Sequence, residues 1–141
     1  KEMKKIKNLI SKLDLIIGKD LFFTGPIPNE QIGPAYAAAN IFVNTSETEG
    51  ICFSFLEAMC FGLPIVTFDV GGNKDVVENG KNGFLVKFGD INNFSKYIIM
   101  ILTNENLKTN LNKNSYKILK NNFDLNNISK KLINLYYQFF L

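Results

Sequence analysis

The sequence predicts an α/β domain in three layers, a parallel sheet with helices on both faces. Three observations predict it. Short apolar runs cut off by Gly, Pro or Asn read as buried parallel strands. Segments with apolar residues at helical spacing alternate with those runs, as in doubly wound folds. The chain has 141 residues, 46% of them hydrophobic and 21% charged. That suits one hydrophobic core and excludes a disordered chain.

Each element follows in order. Residues 1–17 place Ile6, Leu9, Ile10, Leu13 and Ile16–Ile17 at helical spacing between lysines, the pattern of an amphipathic helix that Gly18 would end. "LFFTG" (21–25) reads as a buried strand stopped by Gly25-Pro26. "PNEQIGPAYAAA" (28–39) reads as a short helix with Asn29 as cap and Pro34 near its first turn. "NIFVNTS" (40–46) is a second buried strand, "SFLEAMCFG" (54–62) a helix closed by Gly62, and "LPIVTFDV" (63–70) a third strand. A brief helix in "KDVVENG" and a strand in "NGFLVKFGD" (82–90) follow. Helices over about 91–103, 105–121 and 125–139 form a helical tail. The chain opens directly on a helix, so the expected architecture is a Rossmann-like domain whose first strands are missing. Ligands sit beyond the carboxyl ends of such strands. Those ends are Gly25–Pro28, Thr45–Phe53, Asp69–Lys74 and the turn near Gly89.

Composition excludes several functions. The chain has no His, hence no imidazole base and no imidazole metal ligand. Its net charge of +3 is spread over scattered lysines, without the dense basic patch of a nucleic-acid binder. No apolar run reaches the roughly 20 residues of a membrane span, and no signal peptide is visible. Two cysteines, Cys52 and Cys60, cannot make a disulfide framework, so a reducing, cytoplasmic setting is expected.

The chemistry concentrates in "SETEGICFSFLEAMCFGLPIV", Ser46 to Val66. The chain leaves a strand near Thr45 and enters a helix near Ser54. Backbone N–H groups of Ile51, Cys52 and Phe53 then lie at a helix N-terminus, an anion site by unpaired donors and dipole. Gly50 lets the backbone turn sharply and approach a ligand. Glu49 stands at the same mouth, and Glu57 leans back toward it. An anion flanked by two carboxylates suits a diphosphate with a hydroxylated group at each end, because carboxylates accept from sugar hydroxyls. The competing reading is structural. Ser54-Phe55-Leu56-Glu57 and Ser46-Glu47-Thr48-Glu49 both match the S-x-x-E capping box, and spacing alone favours the cap. Gly71-Gly72 and Gly80/Gly83 read as ordinary turn glycines.

A longer pattern bears on that choice. Glu49, seven residues, Glu57, Ala58-Met59, Gly62-Leu63-Pro64, "IVTFDV" and Gly71-Gly72 follow in unbroken order, after "LFFTGPIPNEQI" and "YAAANIFVNTS". This region, most of residues 20–90, resembles the signature of the retaining GT-B glycosyltransferases of family 4, in their carboxyl-terminal, donor-binding half. The resemblance implies that Glu49 faces the donor sugar's hydroxyls near the anomeric centre, as the catalytic carboxylate. It implies that Glu57 binds the ribose hydroxyls and that the amides of Ile51, Cys52 and Phe53 meet the diphosphate. Gly25, Pro26 and Ile27 would border the base, and Ser46 and Gly50 would complete the donor site. The implied partners are a nucleotide diphosphate sugar and a glycan or lipid-linked acceptor, the latter bound by an amino-terminal domain outside this chain. No nucleic acid, cofactor or metal is implied. A cytoplasmic protein at the inner face of the membrane is expected, and the 141-residue piece alone is expected to be inactive.

The family usually has Glu-Gly-Phe-Gly where this chain has Glu49-Gly50-Ile51-Cys52. Cys52 thus replaces a glycine that lets the ligand approach the backbone. Its thiol either points away or narrows the pocket, and a reactive thiol is a further reading. Cys60 is expected in the core. The family's Arg and Lys that clamp the diphosphate would lie upstream of Lys1. A non-catalytic binding or assembly module of the same fold is the alternative function. An epimerase of this architecture would need a His-bearing motif, which is absent. The aromatic tail "LYYQFFL" (135–141) is read as packing on the core or the missing domain, or as driving self-association. It lacks the basic face of a membrane-docking helix.

Overall fold

Three parallel strands in the order β1-β2-β3 form the sheet. They belong to a computed structural model that describes residues 2–140. The elements are α1 (Glu2–Lys12), α2 (Asn29–Ala38), β1 (Phe42–Asn44), α3 (Phe53–Cys60), β2 (Ile65–Phe68), α4 (Asn73–Val76), β3 (Gly83–Val86), α5 (Ile91–Thr103), α6 (Glu105–Asn122) and α7 (Leu125–Phe140). Lys1 and Leu141, the ends of the first expected helix and of the aromatic tail, lie outside the described residues. The chain divides into two units, one running through Gly33 and one beginning at Pro34.

In the first unit the helix ends five residues short of the expected Ile17. Asp14 adopts a left-handed φ of 54°. Leu15 N–H bonds Ile10 O (3.1 Å) and Asp14 N–H bonds Ser11 O (3.3 Å), which is a Schellman stop. Asp can occupy the left-handed region. Residues 21–25 are not a strand. Leu21 makes only an isolated bridge with Ile17, and Phe22 is 69% exposed. An apolar run becomes a strand only when a neighbouring ladder takes up its backbone groups, and no such ladder runs beside it among the described residues of this unit.

In the second unit the β2 residues are all buried, with alternate side chains on the two faces. Val66 and Phe68 join Phe84, Val86, Phe94 and Ile101 in one cluster under α5. Ile65 joins Phe55, Met59, Val76 and Val77 in a second cluster under α3 and α4. The two clusters make the three layers. β1 is not the buried strand expected. It has one neighbour in the described sheet, and its Val43 is 46% exposed.

Helix ends follow local chemistry. Gly62, at φ 72°, closes α3 as its N–H bonds Met59 O (3.0 Å) and Leu63 N–H bonds Ala58 O (3.0 Å). Asp90, in the turn after Gly89, caps α5 by accepting from Asn93 N–H at 3.0 Å. That bond holds its carboxyl below the usual carboxylate range. Cys60 is exposed rather than core, since α3 buries Phe55, Ala58 and Met59 and the next position turns about 100° off that stripe. α7 carries no buried residue, so its aromatic side chains do not pack on this core. None of the described helices is long and apolar enough to cross a membrane.

The amino-terminal edge of the sheet is tied by buried polar groups. Asn82 donates to Val76 O (3.0 Å) and accepts from Glu78 N–H (2.8 Å). Ser115 Oγ donates to Leu63 O (3.0 Å) and lies 3.3 Å from Asn82 O. Asn82→Ala leaves the buried Val76 carbonyl and the half-buried Glu78 N–H unpaired, and is expected to cost about 2 kcal/mol. A urea midpoint unchanged from wild type would contradict this.

Candidate functional site

β1 ends at Asn44 and β2 at Phe68, on the same edge of a parallel sheet, and the loops that follow meet there. Gly71 has φ 51°, and a Cβ on it would overlap the carbonyl oxygen of Glu49; one on Gly72 would overlap that of Gly50. Gly72 N–H donates to Glu49 O at 3.3 Å. The glycine pair is therefore more than a turn. It is the surface against which the Glu49–Gly50 backbone lies, and any side chain would push that segment away.

Glu49 is half-buried. Its Oε1 accepts from Asn44 Nδ2 at 3.4 Å. Asn44 is oriented by its other end, since Oδ1 accepts from Ser46 N–H at 2.9 Å. Ser46 thus serves the loop that presents Glu49, and no helix begins there, which removes the Ser46–Glu49 capping box.

Helix α3 starts at Phe53 with Cys52 as its N-cap and no side-chain cap bond. The Ser54–Glu57 capping box is therefore also absent, because the helix starts before Ser54 and Glu57 lies in its second turn. Backbone N–H groups of Ile51, Cys52, Phe53 and Ser54 have no acceptor among the described residues. Unpaired donors at the positive end of a helix attract an anion. The Cys52 thiol is engaged by protein groups. It lies 2.9 Å from Ser54 Oγ and 3.7 Å from Asn44 Nδ2, and packs against the α3 core cluster.

Glu57 is exposed, and its Oε2 accepts from Tyr36 Oη at 2.9 Å. Tyr36 is only 8% exposed. Its ring stacks with Phe61 at 5.6 Å between centroids and tilts against Phe42 at 6.0 Å. Burial, and then the Glu57 carboxylate, push its phenol from the ordinary 10.0 up to about 12. Glu49, Gly50, Ile51, Cys52, Phe53 and Ser46 are thus gathered at one mouth, with Glu57 farther along the same helix. Gly25, Pro26 and Ile27 lie in the irregular stretch before α2, in the first unit. Sequence reasoning missed Tyr36 and Asn44 as contributors. Tyr36 carried a signal, a lone tyrosine among small residues in "PAYAAA", but Asn44 carried none beyond being polar in an apolar run.

Comparison with known proteins adds the following. The family model described as glycosyl transferases group 1 matches residues 1–118. The sulfoquinovosyl transferase SQD2 of Arabidopsis thaliana is 39% identical over 80 residues, 55% of this chain and 16% of that protein. Sucrose-phosphate synthase from Thermosynechococcus elongatus has a similar structure, with TM-score 0.82 and 30% identity over 99% of this chain and 34% of that one. HepE of Anabaena, solved in complex with UDP, gives TM-score 0.83 and 25% identity over 96% of this chain and 36% of that one. The curated relatives' lengths are spanned only to about a third or less, from 16% to 31%.

Two outcomes are expected from this geometry. Gly72→Ala meets ordinary φ but no space, whereas Gly80→Ala meets open space at a φ of 77°. The second costs the conformational roughly 1–2 kcal/mol of a left-handed alanine; the first costs more and displaces the Glu49 segment. Equal melting temperatures for the two variants would refute the packing role. Tyr36 is an acid whose folded pKa exceeds its unfolded one, so its contribution to stability is complete below pH 10 and is lost as pH rises from 10 to about 12. Near-ultraviolet phenolate titration should show a late step that Tyr36→Phe removes.

Proposed function

This chain belongs to the group 1 glycosyl transferases, and on that premise we propose that it is the nucleotide-sugar donor-binding portion of a retaining glycosyltransferase. The enzyme would move a hexose-type sugar from a nucleoside diphosphate to a glycan or lipid-linked acceptor. One observation carries the reading. Unpaired amides at the start of α3 are flanked by Glu49 on the loop before it and Glu57 within it, at the edge where a parallel sheet takes its ligand. HepE, of similar structure, is solved with UDP.

The roles are those the family resemblance implies, and charge and geometry support them. The diphosphate lies against the amides of Ile51, Cys52 and Phe53, whose dipoles favour its charge without reorganising. Glu57 accepts from the ribose hydroxyls. Glu49 accepts from the sugar hydroxyls and sets a negative charge beside the anomeric carbon, where positive charge develops as the glycosidic bond breaks. Ser46 and Gly50 shape the loop that presents Glu49. No metal or cofactor takes part in this proposal. The acceptor is held by a domain outside the 141 residues, so the chain alone binds donor but does not transfer it.

The test uses the full-length protein that carries this sequence. Glu57→Ala should weaken UDP binding about tenfold or more, the loss of charge-assisted hydrogen bonds. Glu49→Ala should leave UDP affinity nearly unchanged and lower turnover about a hundredfold or more, as for loss of a group acting mainly on the transition state. Failure of wild type to bind UDP, GDP or their sugars would instead favour a non-catalytic module. Turnover by the 141-residue piece at the full protein's rate would refute the division of labour.

A further inference from the structure

We propose that Tyr36 is a positioning residue: its hydroxyl holds one oxygen of Glu57 and so presents the other to the ribose hydroxyls of the donor. The proposal rests on the assignment of Glu57 made above.

Glu57 is exposed on α3, and an exposed glutamate samples many rotamers whose loss on binding costs conformational entropy. The 2.9 Å bond from Tyr36 to Oε2 removes much of that freedom beforehand. Oε1 has no partner among the described residues, so its lone pairs remain for incoming hydroxyl donors. The anchor itself is fixed. The Tyr36 ring is buried between Phe42 and Phe61, and its phenol stays protonated, hence a donor, at any physiological pH.

The chemistry of the anchor also suits the task. A lysine in its place would pair with Glu57 and neutralise it, and would attract the phosphates to the wrong end. A neutral hydroxyl leaves the carboxylate's charge intact and occupies a single lone pair.

The test asks whether the effect of Tyr36 is read through the ribose. In the full-length protein, calorimetry would measure the Kd of UDP and of its dideoxyribose analogue for wild type, Tyr36→Phe, Glu57→Gln and the double variant. Tyr36→Phe keeps the ring, so the aromatic stack persists and melting temperature reports any general damage. The expected result is a Kd for UDP raised about three- to tenfold, the equivalent of one hydrogen bond. The analogue's Kd should stay unchanged, and Tyr36→Phe should add nothing in the Glu57→Gln background. Equal weakening of both ligands would show a packing role and overturn the proposal. So would an unchanged UDP affinity while Glu57→Gln still separates the two ligands. If Glu57→Gln does not separate them, the ribose assignment fails, and the proposal falls with it.

Discussion

The candidate site depends on one backbone contact. Where the loops after β1 and β2 meet, the Gly71–Gly72 turn lies directly on the Glu49–Gly50 segment, with no room for a Cβ at either glycine and a hydrogen bond from Gly72 N–H to Glu49 O. Two neighbouring parallel strands thereby fix one loop between them. Everything at the mouth follows from that position: the carboxylate of Glu49, the turn at Gly50, and the amides that lead into α3. A contact between main chains sets the site more tightly than side-chain packing would, because a peptide group has no rotamers.

Around this contact each carboxylate has its own neutral partner, Asn44 for Glu49 and Tyr36 for Glu57. Neither glutamate is in an ion pair among the described residues. Both therefore keep most of their acceptor capacity, which is what binding hydroxyl groups requires. Cys52, the residue that departs from the family's glycine, is engaged by Ser54 and Asn44 and packs inward. The substitution is thus accommodated within the network that orients the loop.

Much of this was legible in the sequence. Alternating apolar runs and helical patterns correctly gave parallel strands at 42–44, 65–68 and 83–86 and the three closing helices, since buried parallel strands and amphipathic helices differ in period. The misreadings have physical causes. "LFFTG" has the composition of a strand, but composition does not supply a partner ladder. Ser54-x-x-Glu57 has the spacing of a capping box, but the helix begins at Phe53, and Glu57 is drawn instead to a tyrosine 21 positions away in sequence. The glycine pair read as a plain turn because the need for absent side chains arises from a segment more than twenty residues upstream. Local signals of backbone and period were readable; pairings fixed by tertiary approach were not.

The buried stitch of Asn82 and Ser115 sits at the opposite edge of the sheet from the site. It ties α6 and the approaches to β2 and β3 without touching the ligand-side loops. A side-chain stitch and the candidate site thus lie on opposite rims of one sheet. A side chain at the mouth can therefore be exchanged without breaking the hydrogen bonds that Asn82 and Ser115 make at the other rim.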